Sequence, residues 1–340
     1  MKRLIAVFVL ALFLMPVPAR AEEYEYQDDV VYRIYDGEGA YLTSYAGRVY
    51  ADDEYIAEDN RLYIITRVDD ALLTATANYI GVDTAEARIE TQSVFSDAAA
   101  ATMAPDATTP AKASPPASGG GKKLVAMYST HTDESYEPSD GTSSKTKNAG
   151  ILDVGGALKK NLEKLGVEVI YDETSHLPHD AGAYRRSRQT AEELLKKQPD
   201  ALIDIHRDGI PDPGEYEKKI DGEDVTKVRL EVGRSNPNAD ANRSFAKQIK
   251  ATADKKYPGL IKDIFIGKGN YNQELYPKSV LLEFGTHTTD KERAIKSTEY
   301  MAEVLNDVLF GGGTAKAENN ENAANEGNKS AGKGVLWLVG

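Results

Sequence analysis

Five histidines and no cysteine limit how this chain could bind a metal, because thiolate zinc sites and iron–sulfur clusters require cysteine. Two of the histidines, His131 and His206, and the glutamates Glu134 and Glu283 lie at or just beyond the ends of short apolar runs. Two imidazoles and one carboxylate with an open fourth position form a hydrolytic zinc arrangement. A further carboxylate nearby can serve as general base toward the attacking water.

The sequence supports a role in metal binding less strongly for the other histidines and for Asp204. A single histidine at a strand end is more often a hydrogen-bonded structural residue than a ligand, so the metal hypothesis depends on three strand ends meeting. Asp204 would share a strand face with His206 and could orient it, although a solvated carboxylate is an equal alternative. His176 and His179 flank a Leu-Pro in a loop, and we predict that both are surface residues that could touch a substrate.

The elements that must position these residues alternate between strand and helix over 123–310, which is typical of an α/β fold. Apolar runs predict strands at 123–128, 167–171, 201–205, 228–232 and 279–282. Helical spacing of apolar residues predicts helices at 151–165, 184–198, 242–257 and 290–309. We therefore predict a mostly parallel sheet flanked by helices on both faces, with the candidate residues at the carboxyl ends of its strands.

The rest of the chain divides by composition. Residues 1–21 combine a basic start, an apolar run and a small-x-small site, which predicts a cleavable signal peptide rather than a membrane span. Residues 22–92 contain short alternating runs, which predict a small antiparallel β module. Residues 93–122 predict a flexible linker before the catalytic domain at 123–310, and residues 311–340 predict a disordered tail.

The net charge of the chain argues against some classes of binding partner. Lys and Arg number 41 against 54 Asp and Glu, which gives a formal net charge of -13 at pH 7. Non-specific nucleic-acid binding needs a cationic surface, so we predict no nucleic-acid partner. A negative net charge does not favour electrostatic attraction to an anionic substrate either, and affinity for such a substrate would have to come from local contacts.

Four motifs within roughly 122–310 resemble, in the same order, the signature blocks of the stage II sporulation protein P family. Three of the four motifs contain candidate metal or catalytic residues named above, and the remaining one begins the predicted helix at 184–198. They are Ser-Thr-His131-Thr-Asp-Glu134-Ser-Tyr136, Gly-Ala-Tyr184-Arg-Arg-Ser-Arg-Gln-Thr, Asp204-Ile-His206-Arg-Asp208-Gly and Leu-Leu-Glu283-Phe-Gly-Thr-His287-Thr.

The resemblance implies a peptidoglycan hydrolase with the fold of zinc-dependent N-acetylmuramoyl-L-alanine amidases, which cut the amide between the stem peptide and muramic acid. On the matching positions the zinc (Zn2+) ligands would be His131, Glu134 and His206. Glu283 would be the catalytic carboxylate, and His287 would lie near the cleft and stabilise the tetrahedral oxyanion. The family often has a histidine where this chain has a serine at position 129, so we take His131 as the ligand.

The family is also associated with cutting peptide crosslinks and with acting beside a lytic transglycosylase and a membrane scaffold during sporulation engulfment. We therefore expect an exported protein that acts outside the cytoplasm, at the cell wall or septal membrane, with peptidoglycan as its substrate. Two alternatives stay open. One is a non-catalytic cell-wall binding or scaffold protein with an amidase-like fold, and the other is a zinc peptidase that acts only on stem peptides.

Overall fold

The computed structural model of the protein describes residues 30–83, 122–180 and 182–311. The predicted signal peptide at 1–21 lies outside these residues, as do nearly all of the predicted linker at 93–122 and tail at 311–340. The domain boundaries therefore stay predictions. Among the described residues, no helix has both the length and the apolar character needed to cross a membrane.

The N-terminal region is built from five strands. They are β1 (Val31–Asp36), β2 (Tyr41–Ala46), β3 (Glu54–Ile56), β4 (Arg61–Asp69) and β5 (Thr74–Val82). Neighbouring strands run antiparallel, except that β1 and β5 are parallel. Buried Tyr32, Ile34, Tyr63 and Ile65 alternate with more exposed residues, as expected for strands with one face on a core. The predicted antiparallel β region is confirmed.

The C-terminal region alternates strands and helices as predicted. Its strands are β6 (Leu124–Tyr128), β7 (Glu168–Asp172), β8 (Ala201–Asp208), β9 (Glu217–Ile220), β10 (Glu223–Thr226), β11 (Val228–Gly233), β12 (Ile261–Gly267) and β13 (Ser279–Thr286). Its helices are α1 (Glu137–Asp140), α2 (Gly150–Lys164), α3 (Ala183–Leu195), α4 (Ala239–Lys256) and α5 (Lys291–Phe310), with short 3-10 turns at Pro213–Glu215 and Gln273–Leu275.

One sheet of eleven strands runs through both regions, in the order β2-β1-β5-β4-β3-β12-β11-β13-β8-β6-β7. The pairs β13–β8, β8–β6, β6–β7 and β11–β12 are parallel, whereas β11 runs antiparallel to β13. The antiparallel pair β3–β12 joins the N-terminal strands to the C-terminal part of the sheet. The predicted fold, a mostly parallel sheet preceded by antiparallel strands, is confirmed.

Helices cover both faces of the C-terminal part of the sheet. Apolar residues of α2, α4 and α5 pack with one face of β6, β8, β11 and β13 in the main core. Helix α3 packs on the opposite face, where Ala191 and Leu194 contact Ala126 and Leu202. Successive residues of a strand point to opposite faces. Asp204 and His206 therefore leave β8 on the α3 side of the sheet.

Three strands of the C-terminal region were not predicted from the sequence. Two of them, β9 and β10, form a separate two-stranded sheet. The third, β12, carries the charged residues Lys262 and Asp263 within an otherwise apolar run, and both are buried. Their charge hides the strand from a pattern-based prediction, because the residues that neutralise them come from elsewhere in the chain.

Candidate metal centre

Two neighbouring strands bring three candidate metal ligands together. His131 and Glu134 lie in the loop that follows β6, and His206 lies near the end of β8. Nδ1 of His131 is 3.3 Å from Oε1 of Glu134, and Nδ1 of His206 is 3.2 Å from the same oxygen. All three side chains are buried. We refer to these three residues as the His–Glu–His group.

The His–Glu–His group has the composition and spacing of a zinc site. One donor atom from each residue lies within 4.8 Å of the others. Zinc binds imidazole nitrogen and carboxylate oxygen at about 2.0–2.2 Å, so two ligands of a tetrahedral site are about 3.3–3.5 Å apart. The separations from Glu134 match that spacing closely. A buried carboxylate and two imidazoles without water are costly to keep together unless a cation compensates them, and these residues therefore fit zinc.

The electrostatics of the three residues together favour a positive charge at the site. Burial lowers the pKa of His131 and so favours its neutral, ligating form. Burial opposes ionisation of Glu134, but the neighbouring His206 and His131 hold the pKa of this carboxyl well below 4.5. Burial likewise opposes a charge on His206, yet Asp204 and Glu134 raise its pKa well above 6.5. The site therefore attracts a positive charge, which a proton or a metal ion can supply.

Asp204 contacts the far side of the His206 ring. Its Oδ1 lies 3.0 Å from His206 Nε2. The same oxygen accepts a hydrogen bond from the backbone N–H of Thr130 at 2.8 Å, and Oδ2 accepts one from the Thr130 hydroxyl at 2.6 Å. A carboxylate on the second nitrogen of a ligating histidine fixes the orientation of the ring and raises its basicity. The structure favours this orienting role over a solvated carboxylate, because Asp204 is buried.

Glu283 lies next to the His–Glu–His group on β13. It is the register partner of His206 on β8 and is 3% exposed. Its Oε2 is buried and has no hydrogen-bond partner among the described residues. Burial, together with the carboxylates of Glu231 and Glu134, raises the pKa of Glu283 well above 4.5. A carboxylate of raised pKa is a stronger base and, once protonated, a usable acid.

His287 lies just past the end of β13. Its backbone N–H donates to the carbonyl oxygen of Asp208 at 3.1 Å, which holds it beside the end of β8. The ring is half-buried, and Nδ1 lies 3.3 Å from the Thr286 hydroxyl. Burial, with a contribution from Arg207, lowers the pKa of His287. A neutral imidazole at this position keeps one N–H to donate.

The prediction that His176 and His179 are surface residues is wrong for His176 and incomplete for His179. His176 is 3% exposed. Its Nδ1 bonds to the carbonyl oxygen of Ser129 at 2.8 Å, and its Nε2 bonds to the Thr190 hydroxyl at 2.9 Å. His179 is half-buried and stacks on His131 with ring centroids 3.9 Å apart. The loop that carries both residues folds onto the end of β6, which its local sequence does not reveal.

Three tyrosines extend from the metal group toward the N-terminal strands. The ring of Tyr184 lies 5.5 Å from that of His131 and 6.4 Å from that of His206, between centroids. Tyr271 follows at 5.4 Å from Tyr184, and its hydroxyl is 3.3 Å from the hydroxyl of Tyr45 on β2. Tyr184 and Tyr271 are half-buried. These tyrosines therefore form an aromatic row that runs from the His–Glu–His group to β2.

A cavity of about 670 Å³ lies apart from the His–Glu–His group. Its lining comes from the N-terminal strands, including Tyr41 and Tyr55, and from the C-terminal region, including Glu215 and Lys262. None of the metal-group residues lines it. The candidate site is therefore identified by its chemistry and not by the volume of an open pocket.

A family model and a curated relative that match this chain both belong to stage II sporulation protein P. The family model of stage II sporulation protein P matches residues 57–306 of this chain. Stage II sporulation protein P of Bacillus subtilis (strain 168) is 29% identical over 210 residues. That alignment covers 56% of this chain and 52% of the relative, so the chain spans about half the length of the relative that it matches.

The solved structures to which this chain is similar include two N-acetylmuramoyl-L-alanine amidases. An N-acetylmuramoyl-L-alanine amidase from Clostridium difficile 630 is 15% identical, with a TM-score of 0.37, over 56% of this chain and 97% of its own. The amidase AmiC2 of Nostoc punctiforme is 15% identical, with a TM-score of 0.34, over the same shares of the two chains.

Proposed function

The chain belongs to the stage II sporulation protein P family, and we propose that it is a zinc-dependent hydrolase of peptidoglycan that cleaves the N-acetylmuramoyl-L-alanine amide. The observation that carries this proposal is the buried His–Glu–His group with Glu283 as its register neighbour. Three buried protein ligands are typical of a catalytic zinc site, and a further carboxylate beside them can act as general base.

Each residue has a defined task in this proposal. His131, Glu134 and His206 hold the ion, and Asp204 keeps the His206 ring in its ligating orientation. Zinc bound there supplies a Lewis acid for the scissile carbonyl and lowers the pKa of the attacking water to about 7. Glu283 accepts a proton from that water and donates it to the leaving nitrogen as the carbon–nitrogen bond breaks.

His287 is assigned to the developing oxyanion. Its half-buried position beside the end of β8 and its neutral ring leave an N–H that can donate to a negatively charged oxygen. This role differs from that of Glu283, since His287 would stabilise charge without transferring a proton. Loss of the ring should therefore lower the rate while leaving metal affinity unchanged.

The substrate and setting follow from the family. Peptidoglycan stem peptides joined to muramic acid are the proposed substrate, with stem-peptide crosslinks as a possible second one, in septal wall remodelling during sporulation engulfment. A lytic transglycosylase and a membrane scaffold are proposed partners, and the proposed location is extracytoplasmic. The chain carries a formal charge of -13, so affinity for the wall would have to come from local contacts, and the half-buried Tyr184 and Tyr271 near the His–Glu–His group are candidates for them.

A metal-dependence experiment tests the proposal against a non-catalytic wall-binding protein. Purified protein would be stripped with a chelator, reconstituted with zinc and incubated with purified cell walls. The proposal expects one zinc per chain, loss of wall solubilisation after stripping and its return with zinc. Wall binding that persists without solubilisation in the zinc-loaded protein would support the scaffold alternative and contradict the proposal.

A further inference from the structure

One buried arginine connects the strand that carries His206 to the N-terminal strands. Arg229 on β11 is 0% exposed. Its Nε and Nη2 donate to the two carboxylate oxygens of Asp263 at 2.7 and 3.0 Å, and its Nη1 donates to Asp208 Oδ2 at 2.8 Å. Nη2 also donates at 2.9 Å to the Thr43 hydroxyl and to the carbonyl oxygen of Ser44. A single guanidinium thus joins β12, β8 and β2.

Asp208 is the last residue of β8 and follows His206 by two positions. Besides Arg229, its carboxylate accepts a hydrogen bond from the Tyr216 hydroxyl at 2.6 Å. Its carbonyl oxygen accepts from the backbone N–H of His287 and from the Thr286 hydroxyl, at 3.1 and 2.9 Å. A residue held at so many points leaves the end of β8, and with it His206, little freedom to move.

Thr43 is the point where the N-terminal strands enter this network. Its hydroxyl accepts from Arg229 Nη2 at 2.9 Å and from Lys262 Nζ at 2.6 Å, and it lies 3.2 Å from Glu215 Oε2. Lys262 in turn bonds to Asp263 at 2.8 Å. The residue is 1% exposed, so water cannot replace the hydroxyl if it is removed.

We propose that Arg229 is a positioning residue that fixes the end of β8 around His206, and that Thr43 of β2 completes its hydrogen bonds. The N-terminal strands are then part of the catalytic unit. The rigid fork of an arginine can bond two carboxylates and a neutral acceptor at once, which the single ammonium of a lysine cannot reproduce. That His206 serves as a metal ligand rests on the proposed function, whereas its positioning by Arg229 does not.

Two substitutions and a matched control test this proposal. Thr43→Val removes the hydroxyl at nearly constant volume, and Arg229→Lys keeps the charge but loses the fork. Thr66→Val is the control, because Thr66 is an exposed residue of the same N-terminal region whose hydroxyl bonds only to the Thr76 carbonyl oxygen in the structure. If Arg229→Lys does not fold, Thr43→Val carries the test.

The first readout is the imidazole NMR spectrum of the metal-free protein, which has only five histidines. A His206→Gln variant assigns the His206 signal. We expect Thr43→Val and Arg229→Lys to move the His206 signal and to leave that of His176 in place, since His176 bonds to Ser129 and Thr190 instead. Thr66→Val should move neither signal.

The second readout is Co2+ binding followed by visible absorption, which reports the ligand geometry directly. We expect the Kd for Co2+ to rise about 10-fold in Arg229→Lys and less in Thr43→Val, because residues beyond the ligands typically change metal affinity by about 10–100-fold. An unchanged His206 signal in Thr43→Val together with a lowered melting temperature would overturn the proposal. An equal change in the His206 signal in Thr43→Val and in Thr66→Val would also overturn it. If the unaltered protein binds no Co2+, the proposed function fails, and the imidazole spectrum still decides the role of Arg229.

Discussion

Glu283 on β13 is the register partner of His206 on β8, across two parallel strands. Paired residues of neighbouring strands point to the same face, so the carboxylate and the imidazole leave the sheet side by side. The arrangement places the proposed acid–base group next to a proposed metal ligand, and both lie on strands. Strands hold such positions more rigidly than loops do, which suits a reaction that depends on geometry.

Replacing Glu283 with glutamine should separate metal binding from hydrolysis. Glu283→Gln keeps the shape of the side chain but cannot accept the proton of water. We expect zinc content to stay at one per chain and the rate of wall hydrolysis to fall about 10²–10⁴-fold, the usual contribution of a general base. Zinc analysis and turbidity of a wall suspension measure the two effects. A near-normal rate would remove Glu283 from the mechanism.

Substitutions within the His–Glu–His group should abolish both zinc binding and wall hydrolysis. A ligand that binds only the folded chain raises its melting temperature, so zinc should stabilise the unaltered protein and should fail to stabilise His131→Ala or His206→Ala. Calorimetry with and without zinc makes the comparison. His176→Ala is the matched control: it removes a buried histidine outside the group, and its zinc-dependent rise should persist even if its stability falls.

Asp204→Asn should weaken zinc binding without removing a ligand. The asparagine keeps an oxygen for the Thr130 N–H but loses the charge that faces His206 Nε2 at 3.0 Å. We expect the Kd for zinc to rise about 10–100-fold, as measured by competition with a chelating dye. Asp153→Asn on α2 replaces an aspartate whose partner is Lys291, and it should leave the Kd unchanged. Equal effects of both substitutions would argue against an orienting role for Asp204.

The buried network around Arg229 should govern acid stability. Burial opposes ionisation of Asp263, but Arg229 and Lys262 hold its pKa well below 3.8. Because the folded-state pKa is lower than the unfolded one, the ionised carboxylate adds stability that is present above about pH 4 and is lost as the pH falls toward the lowered value. The stability deficit of Asp263→Asn should therefore be large at pH 7 and should narrow below pH 4.

Urea unfolding across pH 2–7 measures this dependence. Breaking a buried pair typically costs about 3–5 kcal/mol, which sets the expected deficit at pH 7. Asp59→Asn serves as the comparison, since Asp59 forms an exposed ion pair with Arg61, and its unfolding curves should follow those of the unaltered chain. A deficit of Asp263→Asn that stays constant with pH would show that the loss of a hydrogen-bond acceptor, and not the loss of charge, is responsible.

The sequence was sufficient for the elements whose own residues determine them. Helix α2 was predicted because Ile151, Val154, Leu158 and Leu162 recur at helical spacing, and all four are buried. His131, Glu134, His206 and Glu283 were predicted to meet because apolar runs end at or near each of them and parallel strands share one edge. In both cases the signal is an apolar pattern that can be read from the local sequence of each element.

The features that could not be predicted depend on contacts between residues that are distant in sequence. Strand β12 was missed because Lys262 and Asp263 interrupt its apolar run, and their burial depends on partners that are distant in sequence, such as Arg229 and Glu215. His176 was placed on the surface because nothing near it predicts its bond to Ser129. The continuity of the sheet through β3 and β12 was likewise invisible, since three residues are too few to give a pattern.

Mass spectrometry of muropeptide products tests the central claim most directly. Purified cell walls would be digested with zinc-loaded protein, with Glu283→Gln as the control. Our account predicts stem peptides that begin with a free L-alanine amine and glycan strands that have lost their peptides, from the unaltered protein alone. Products cut only within the stem peptides, with the muramic acid amide intact, would contradict it and would identify a zinc peptidase instead.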